Sequence, residues 1–259
     1  MKDSLAGRRA MITGAATGIG RTIAERFLEA GVRVQICDVD EKALHAAKAA
    51  LPKLGTSLCD VSDTDQVDRF FDEAVEYLGG LDILINNAGI AGPAAPVENI
   101  DPEEWSHTLA VDLTGQFLCA RRAVPLLKVA GGGSIVNVSS VGGRFGYPMR
   151  TPYASAKWGI IGLTKTLAME LGRFSINVNA LCPGFVAGER LERVIATKAG
   201  IQGVPVDQLR EVYLDLNSMH SFIAPEQIAE TVLFLCTAAG AAMSGQIVNV
   251  DGDLRTLRV

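Results

Sequence analysis

The chain has 259 residues, 48% of them hydrophobic and 20% charged, with a formal net charge of -5. Those values suit one large α/β domain, expected to span 1–259, with a sizeable core. They leave no basic field for nucleic acid. No apolar run is long enough for a membrane helix, and the N-terminal segment does not read as a leader, so the expected address is cytoplasmic.

In chain order, short β-rich runs alternate with helical patterns. Residues 9–13 form an apolar run ending in a glycine-rich turn. Ile23, Ala24, Phe27 and Leu28 fall at helical spacing within 19–30, and Gly31 stops that helix. A strand over 32–37, a helix over 41–51, a strand over 56–59 and a helix over 63–77 follow. Residues 83–85 read as a strand, with helices near 102–110 and 112–130. Then come a strand at 134–138, a long helix at 153–172 and a strand at 176–181. Residues 188–222 are rich in charge and lack a clear strand. A helix at 226–237 and a strand at 246–250 close the pattern. Strands that are almost wholly apolar, separated by helices, predict a doubly wound parallel sheet in three α/β/α layers. Ligands bind such sheets beyond the carboxyl ends of the strands.

The chemistry-bearing motifs sit at those ends. Thr13-Gly14-Ala15-Ala16-Thr17-Gly18-Ile19-Gly20 joins the first strand to the first helix. Gly14 permits a tight turn, Gly18 leaves room for a pyrophosphate, and Gly20 allows close helix–sheet packing. The helix start offers free N–H groups to phosphate. Asp38 ends the second strand, where a carboxylate can accept bonds from both ribose hydroxyls of NAD and repel a 2′-phosphate. Capping of the next helix is the alternative role. Val39 follows it, so no arginine clamps a phosphate there. Asp60 and Val61 end the third strand; Asp60 could face the adenine amino group or cap the following helix.

Tyr153 and Lys157 lie four apart on one helical face. A neighbouring ammonium favours phenolate, so the phenol can exchange a proton with a substrate hydroxyl near neutral pH. Ser140, 13 residues upstream, can hold the substrate oxygen beside the phenol.

These motifs, together with Asn86 to Gly89 and Pro183-Gly184, occur in the order and spacing of one family. Over essentially its whole length the chain resembles the short-chain dehydrogenase/reductase superfamily, in its shorter single-domain branch. The resemblance implies a Rossmann-like sheet of seven strands in the order 3-2-1-4-5-6-7, and Tyr153 as general acid/base with Ser140 orienting substrate. It implies that Lys157 binds the nicotinamide ribose, that Asn87, Ala88 and Gly89 line the adenosine side, and that Pro183, Gly184 and Val186 contact the nicotinamide. Residues 188–222 resemble the family's variable substrate lid. Related proteins are tetramers, so a homotetramer with contacts through the 153–172 helix and the last strand is expected.

Two positions depart from the family pattern. Asp112 stands where the family usually has an Asn that helps hold a proton-relay water; it brings charge beside Lys157 and retunes the relay without abolishing activity. Gly188 stands where many relatives carry Thr, an absence expected to loosen the loop or weaken cofactor binding.

The 140–153 connection carries Arg144, Phe145, Tyr147, Met149 and Arg150 past the substrate. Arg144 or Arg150 is expected to favour a polar or anionic substrate, since guanidinium binds carboxylate bidentately; a surface or intersubunit salt bridge is the alternative. The charges of 188–222 (Arg190, Arg193, Lys198 and Arg210 against Glu189, Glu192 and Asp207) read as solvated helix faces. Five scattered cysteines read as buried thiols and no histidine spacing suggests a metal. The function expected is an NAD-dependent oxidoreductase acting on CH–OH groups of a small polar, anionic or sugar-like alcohol or ketone. A 3-oxoacyl thioester reductase is the main alternative. A non-catalytic NAD sensor and a nucleotide-sugar epimerase or dehydratase rank below it.

Overall fold

The computed structural model describes residues 5–258. Residues 1–4, part of the segment read as lacking a leader, and residue 259 lie outside the described residues. Seven parallel strands form one sheet in the order β3-β2-β1-β4-β5-β6-β7, as expected. They are β1 (Arg9–Thr13), β2 (Arg33–Asp38), β3 (Gly55–Leu58), β4 (Ile83–Asn86), β5 (Gly133–Val138), β6 (Ile176–Pro183) and β7 (Ile247–Val250).

Alternation along each strand divides the core between two faces. Ala10, Ile12, Ile83 and Ile85 pack under α1 (Gly18–Glu29), α2 (Glu41–Ala50) and α9 (Pro225–Cys236). Met11 and Leu84 face the other side, under α3 (Thr64–Leu78), α5 (Gly115–Val129) and the end of α6 (Thr151–Leu171). Both layers are apolar because both sheet faces are covered.

Two regions differ from the expectation. The helices expected near 102–110 and 112–130 are α4 (Pro102–Leu109) and α5, joined without a break by a π-helical turn, Ala110–Thr114. The extra residue per turn lets Asp112 point inward while both helices keep their faces. The charged stretch 188–222 forms two amphipathic helices, α7 (Glu189–Gln202) and α8 (Val206–Asp215). They enclose a satellite core of Leu191, Ile195, Leu209 and Tyr213, closed beneath by Leu254 and Leu257 of the tail. Every one of the five cysteines is buried and unpaired. Among the described residues no helix is long and apolar enough to cross a membrane, and no cluster of potential ligands could hold a metal.

Candidate active site

A cleft of about 1200 Å³ opens along the carboxyl ends of β1 to β6. At one end is the turn between β1 and α1. Gly14 has φ +59°, and a Cβ there would lie 2.7 Å from Ala88 Cα; a Cβ on Gly20 would lie 2.5 Å from both Asn87 Nδ2 and Gly14 O. Only glycine fits this junction. Gly18, in contrast, faces open space. Asn87 fastens β4 to the turn, its Nδ2 donating to Thr13 O (3.0 Å) and Gly14 O (2.7 Å). Helix α1 begins at Gly18 with no side-chain cap and no acid in its first turn. Its first N–H groups, next to Thr17 and Ile19 on the cleft wall, stay available to an anion.

Asp38 is held by backbone: Oδ2 accepts from Ala16 N–H (3.0 Å) and Oδ1 from Val39 N–H (2.8 Å). It does not cap α2, whose cap is Asp40, bonded to Ala43 N–H. Asp60 likewise does not cap α3; Asp63 does. Asp60 Oδ1 instead accepts from the N–H and hydroxyl of Ser62 (2.9 and 2.7 Å). Asp38, Asp60, Val61 and Asn87 to Gly89 all line the cleft.

At the other end, Ser140 follows β5 and Tyr153 lies in the first turn of α6. The Ser140 hydroxyl accepts from Gly142 N–H at 3.0 Å, which leaves its own proton to donate. The Tyr153 ring rests against Gly142, where a Cβ would come within 3.1 Å of it. Tyr147 meets the same ring edge-on at 6.3 Å between centroids. One turn along α6, Lys157 is 3% exposed. Its Nζ lies 5.5 Å from the Tyr153 ring centroid, donates to Val138 O (3.3 Å) and stands 3.4 Å from Asp112 Oδ2. Asp112 is fully buried; Oδ1 accepts from Ile90 N–H at 2.7 Å, while Oδ2 makes no hydrogen bond. A buried carboxylate thus stands beside the ammonium that faces the phenol.

Pro183, Gly184 and Val186 follow β6 on the cleft wall. Gly184 packs tightly on the tail, a Cβ there falling 2.7 Å from Asp251 Cα. Gly188 has φ +139° at the start of α7, a conformation closed to threonine. A Cβ there would meet open space, so backbone conformation and not packing selects the glycine.

The two arginines of the 140–153 connection separate. Arg144 is absent from the cleft wall; its Nη1 pairs with Asp251 Oδ2 at 2.7 Å. Arg144 thus takes the salt-bridge alternative, because Asp251 at the end of β7 captures the guanidinium within the chain. Arg150 does line the cleft, with Nη1 donating to Ala91 O (3.1 Å) and Gly92 O (3.0 Å). Tyr147 of the same connection also lines the wall, and the sequence reading missed Leu257, which the tail brings there. No local signal marks Leu257. Arg190 and Arg193, read as solvated, also border the opening.

A parallel sheet of this order, with a glycine turn feeding a helix start and a phenol–ammonium pair across the same crevice, defines an α/β protein built to hold a dinucleotide against a substrate. The chain belongs to the short-chain dehydrogenase/reductase superfamily: a family model described as enoyl-(acyl carrier protein) reductase matches residues 14–254. It is 36% identical to cis-4-hydroxycyclohexanecarboxylate dehydrogenase of Sinomonas cyclohexanicum, over 97% of this chain and 98% of that one. It is similar to the crystal structure of NAD+-bound xylitol dehydrogenase, with a TM-score of 0.92, 28% identity, and 96% and 99% of the two chains covered. It also matches a variant of actinorhodin polyketide ketoreductase crystallised with NADPH, with a TM-score of 0.91, 31% identity and 97% of each chain covered. Relatives act on hydroxy and keto substrates, and the chain is an oxidoreductase of this superfamily.

Proposed function

We propose that the protein transfers hydride between NAD and a small polar secondary alcohol or its ketone, with Tyr153 as general acid/base. The observation that carries this is the approach of Lys157 Nζ to the Tyr153 ring, 5.5 Å from its centroid, beside Ser140 in one cleft.

The residues present fit a dinucleotide. The glycine turn leaves no side chain between α1 and a pyrophosphate, and Asp38 is fixed where it meets a ribose. Asn87, Ala88 and Gly89 line the adenosine side, and Pro183, Gly184 and Val186 the nicotinamide side. When bound, the nicotinamide accepts or gives the hydride. In alcohol oxidation the Ser140 hydroxyl holds the substrate oxygen and the Tyr153 phenolate takes its proton. The Lys157 ammonium stabilises that phenolate through space. Asp112 holds the ammonium in place and offsets part of its field.

Asp38 supports NAD over NADP, since a 2′-phosphate would meet a carboxylate, with Val39 next to it instead of a cation. Arg150 on the substrate side, and a relative named for a hydroxycarboxylate, support an anionic or otherwise polar substrate. Residues 188–222 act as its lid. Reduction of a 3-oxoacyl thioester is the second reading, favoured by the description of the family model. We place the protein in the cytoplasm as a homotetramer; Trp158 and Met169, 51% and 88% exposed on α6, support contacts there.

The test is a panel of alcohols, sugars, hydroxy acids and a 3-oxoacyl thioester, each run with both nucleotides. NADH formation from a polar alcohol is the expected result. Turnover only of the thioester with NADPH would overturn it in favour of the second reading.

A further inference from the structure

Past Tyr153 the cleft wall includes Tyr147, Arg150 and, from α7, Val194 and Thr197, with Lys198 and Tyr213 off the wall. Arg150 precedes α6, three residues before Tyr153, and both line the cleft. Its Nη1 is taken by two carbonyls, but Nε and Nη2 make no hydrogen bond among the described residues. Lys198 of α7 is half-buried, and the positive charge that acts on it is that of Arg150. Its Nζ stands 5.9 Å from the centre of the Tyr213 ring. Neither cation has a carboxylate partner among the described residues, whereas Arg210 on the same lid pairs with Glu192 and Arg144 with Asp251. Burial and the neighbouring guanidinium lower the Lys198 pKa.

Two phenols complete the group. Tyr213 is fully buried, yet its hydroxyl has no hydrogen-bond partner. The Tyr147 hydroxyl is the neighbour able to meet it, each phenol acts on the other, and Arg150 acts on both. A buried, unsatisfied hydroxyl costs free energy unless something meets it. Two uncompensated cations in a partly desolvated site do the same. An anion with several acceptor lone pairs answers both requirements.

We propose that Arg150 and Tyr147, on the cleft wall and backed by Lys198, form a subsite for a carboxylate of the substrate. The alcohol oxidised at Tyr153 is then a hydroxy acid, and the corresponding oxo acid is the product. Arg150 and Lys198 neutralise the carboxylate and the Tyr147 hydroxyl donates to it. The carbinol carbon is thereby fixed at one end of the molecule and the charge at the other. This assignment rests on the proposed alcohol–ketone chemistry of the same cleft.

The test uses carboxylates that cannot be oxidised. The full-length protein, saturated with NAD, is titrated calorimetrically with butyrate, cyclohexanecarboxylate and benzoate, and with the matching amides. At least one acid is expected to bind roughly tenfold or more tightly than its amide. Lys198→Met and Arg150→Met should each weaken that acid at least about tenfold, the loss of one charge-assisted contact. Tyr147→Phe should weaken it less. NAD titration of the same variants reports that they are folded. Equal affinity for acid and amide, no binding of any acid, or unchanged affinity in Lys198→Met overturns the subsite. The two levels separate cleanly. Turnover of neutral alcohols with no preference for acids removes the subsite and keeps hydride transfer. Carboxylate binding that depends on Lys198, without NADH formation from any alcohol, removes the chemistry and keeps the subsite.

Discussion

Replacing Asp112 by Asn isolates the one charge that sets this site apart from its family pattern. Asn keeps the shape and can still accept from Ile90 N–H, so the fold and the π-turn should survive. What changes is the field at the phenol. Lys157 Nζ lies 5.5 Å from the Tyr153 ring centroid and Asp112 Oδ2 3.4 Å from Nζ, so the carboxylate is within 8.9 Å of the ring. With an effective dielectric constant of about 20, one charge at that limit is worth about 2 kcal/mol. The carboxylate offsets the ammonium's field at the phenol, so its removal should strengthen that field. The assay is kcat/KM for alcohol oxidation at saturating NAD and one neutral pH. It should rise by roughly tenfold in Asp112→Asn, with NAD affinity retained. An unchanged value would show that the carboxylate is screened from the phenol. A fall would show that Lys157 is misplaced without its partner. Either result refutes the electrostatic role assigned to Asp112.

Three further outcomes follow from other parts of the structure. Asp38→Ser combined with Val39→Arg should raise the NADP-to-NAD ratio of kcat/KM by at least about a hundredfold, because two charge-assisted bonds to the ribose are lost and a phosphate clamp is gained; an unchanged ratio would remove Asp38 as the selector. Asp82 anchors β4 to β1 through a bidentate pair with Arg9, at 2.8 and 2.9 Å. Burial pushes the Asp82 pKa up, but Arg9's side-chain and backbone hydrogen bonds and charge together hold it below the usual 3.8. Its stabilisation is therefore complete above the unfolded value and is lost as pH falls through the lower folded value. Asp82→Asn should cost about 1–3 kcal/mol in urea unfolding at pH 7, and the gap to wild type should narrow as pH falls below 3.8; a gap independent of pH would contradict the assignment. Gly14→Val, at φ +59° and pressed on Ala88, should abolish NAD binding or soluble folding, as read by titration and circular dichroism.

The sheet was legible in the sequence because strands covered on both faces are apolar throughout and their helices carry a 3.6-residue period. The tight turn at Gly14 and the shared helical face of Tyr153 and Lys157 were legible from spacing, whereas the roles read for them came from the family resemblance. What escaped depends on residues distant along the chain. Arg144 and Arg150 look equivalent in the sequence, and only Asp251, 107 residues past Arg144, distinguishes them. The π-turn needs Ile90 N–H as the partner of Asp112. Lys198 read as solvated because mixed charge conceals that α7 and α8 fold a small core of their own, which draws its stem inward.

Tyr153→Phe tests the central claim most directly. The variant keeps the ring against Gly142 and removes only the hydroxyl. Single-turnover hydride transfer to NAD should fall by at least about a hundredfold, while the dissociation constant for NAD stays within a factor of two or so of wild type. Transfer at the wild-type rate, with nucleotide bound as before, would contradict the account at its base.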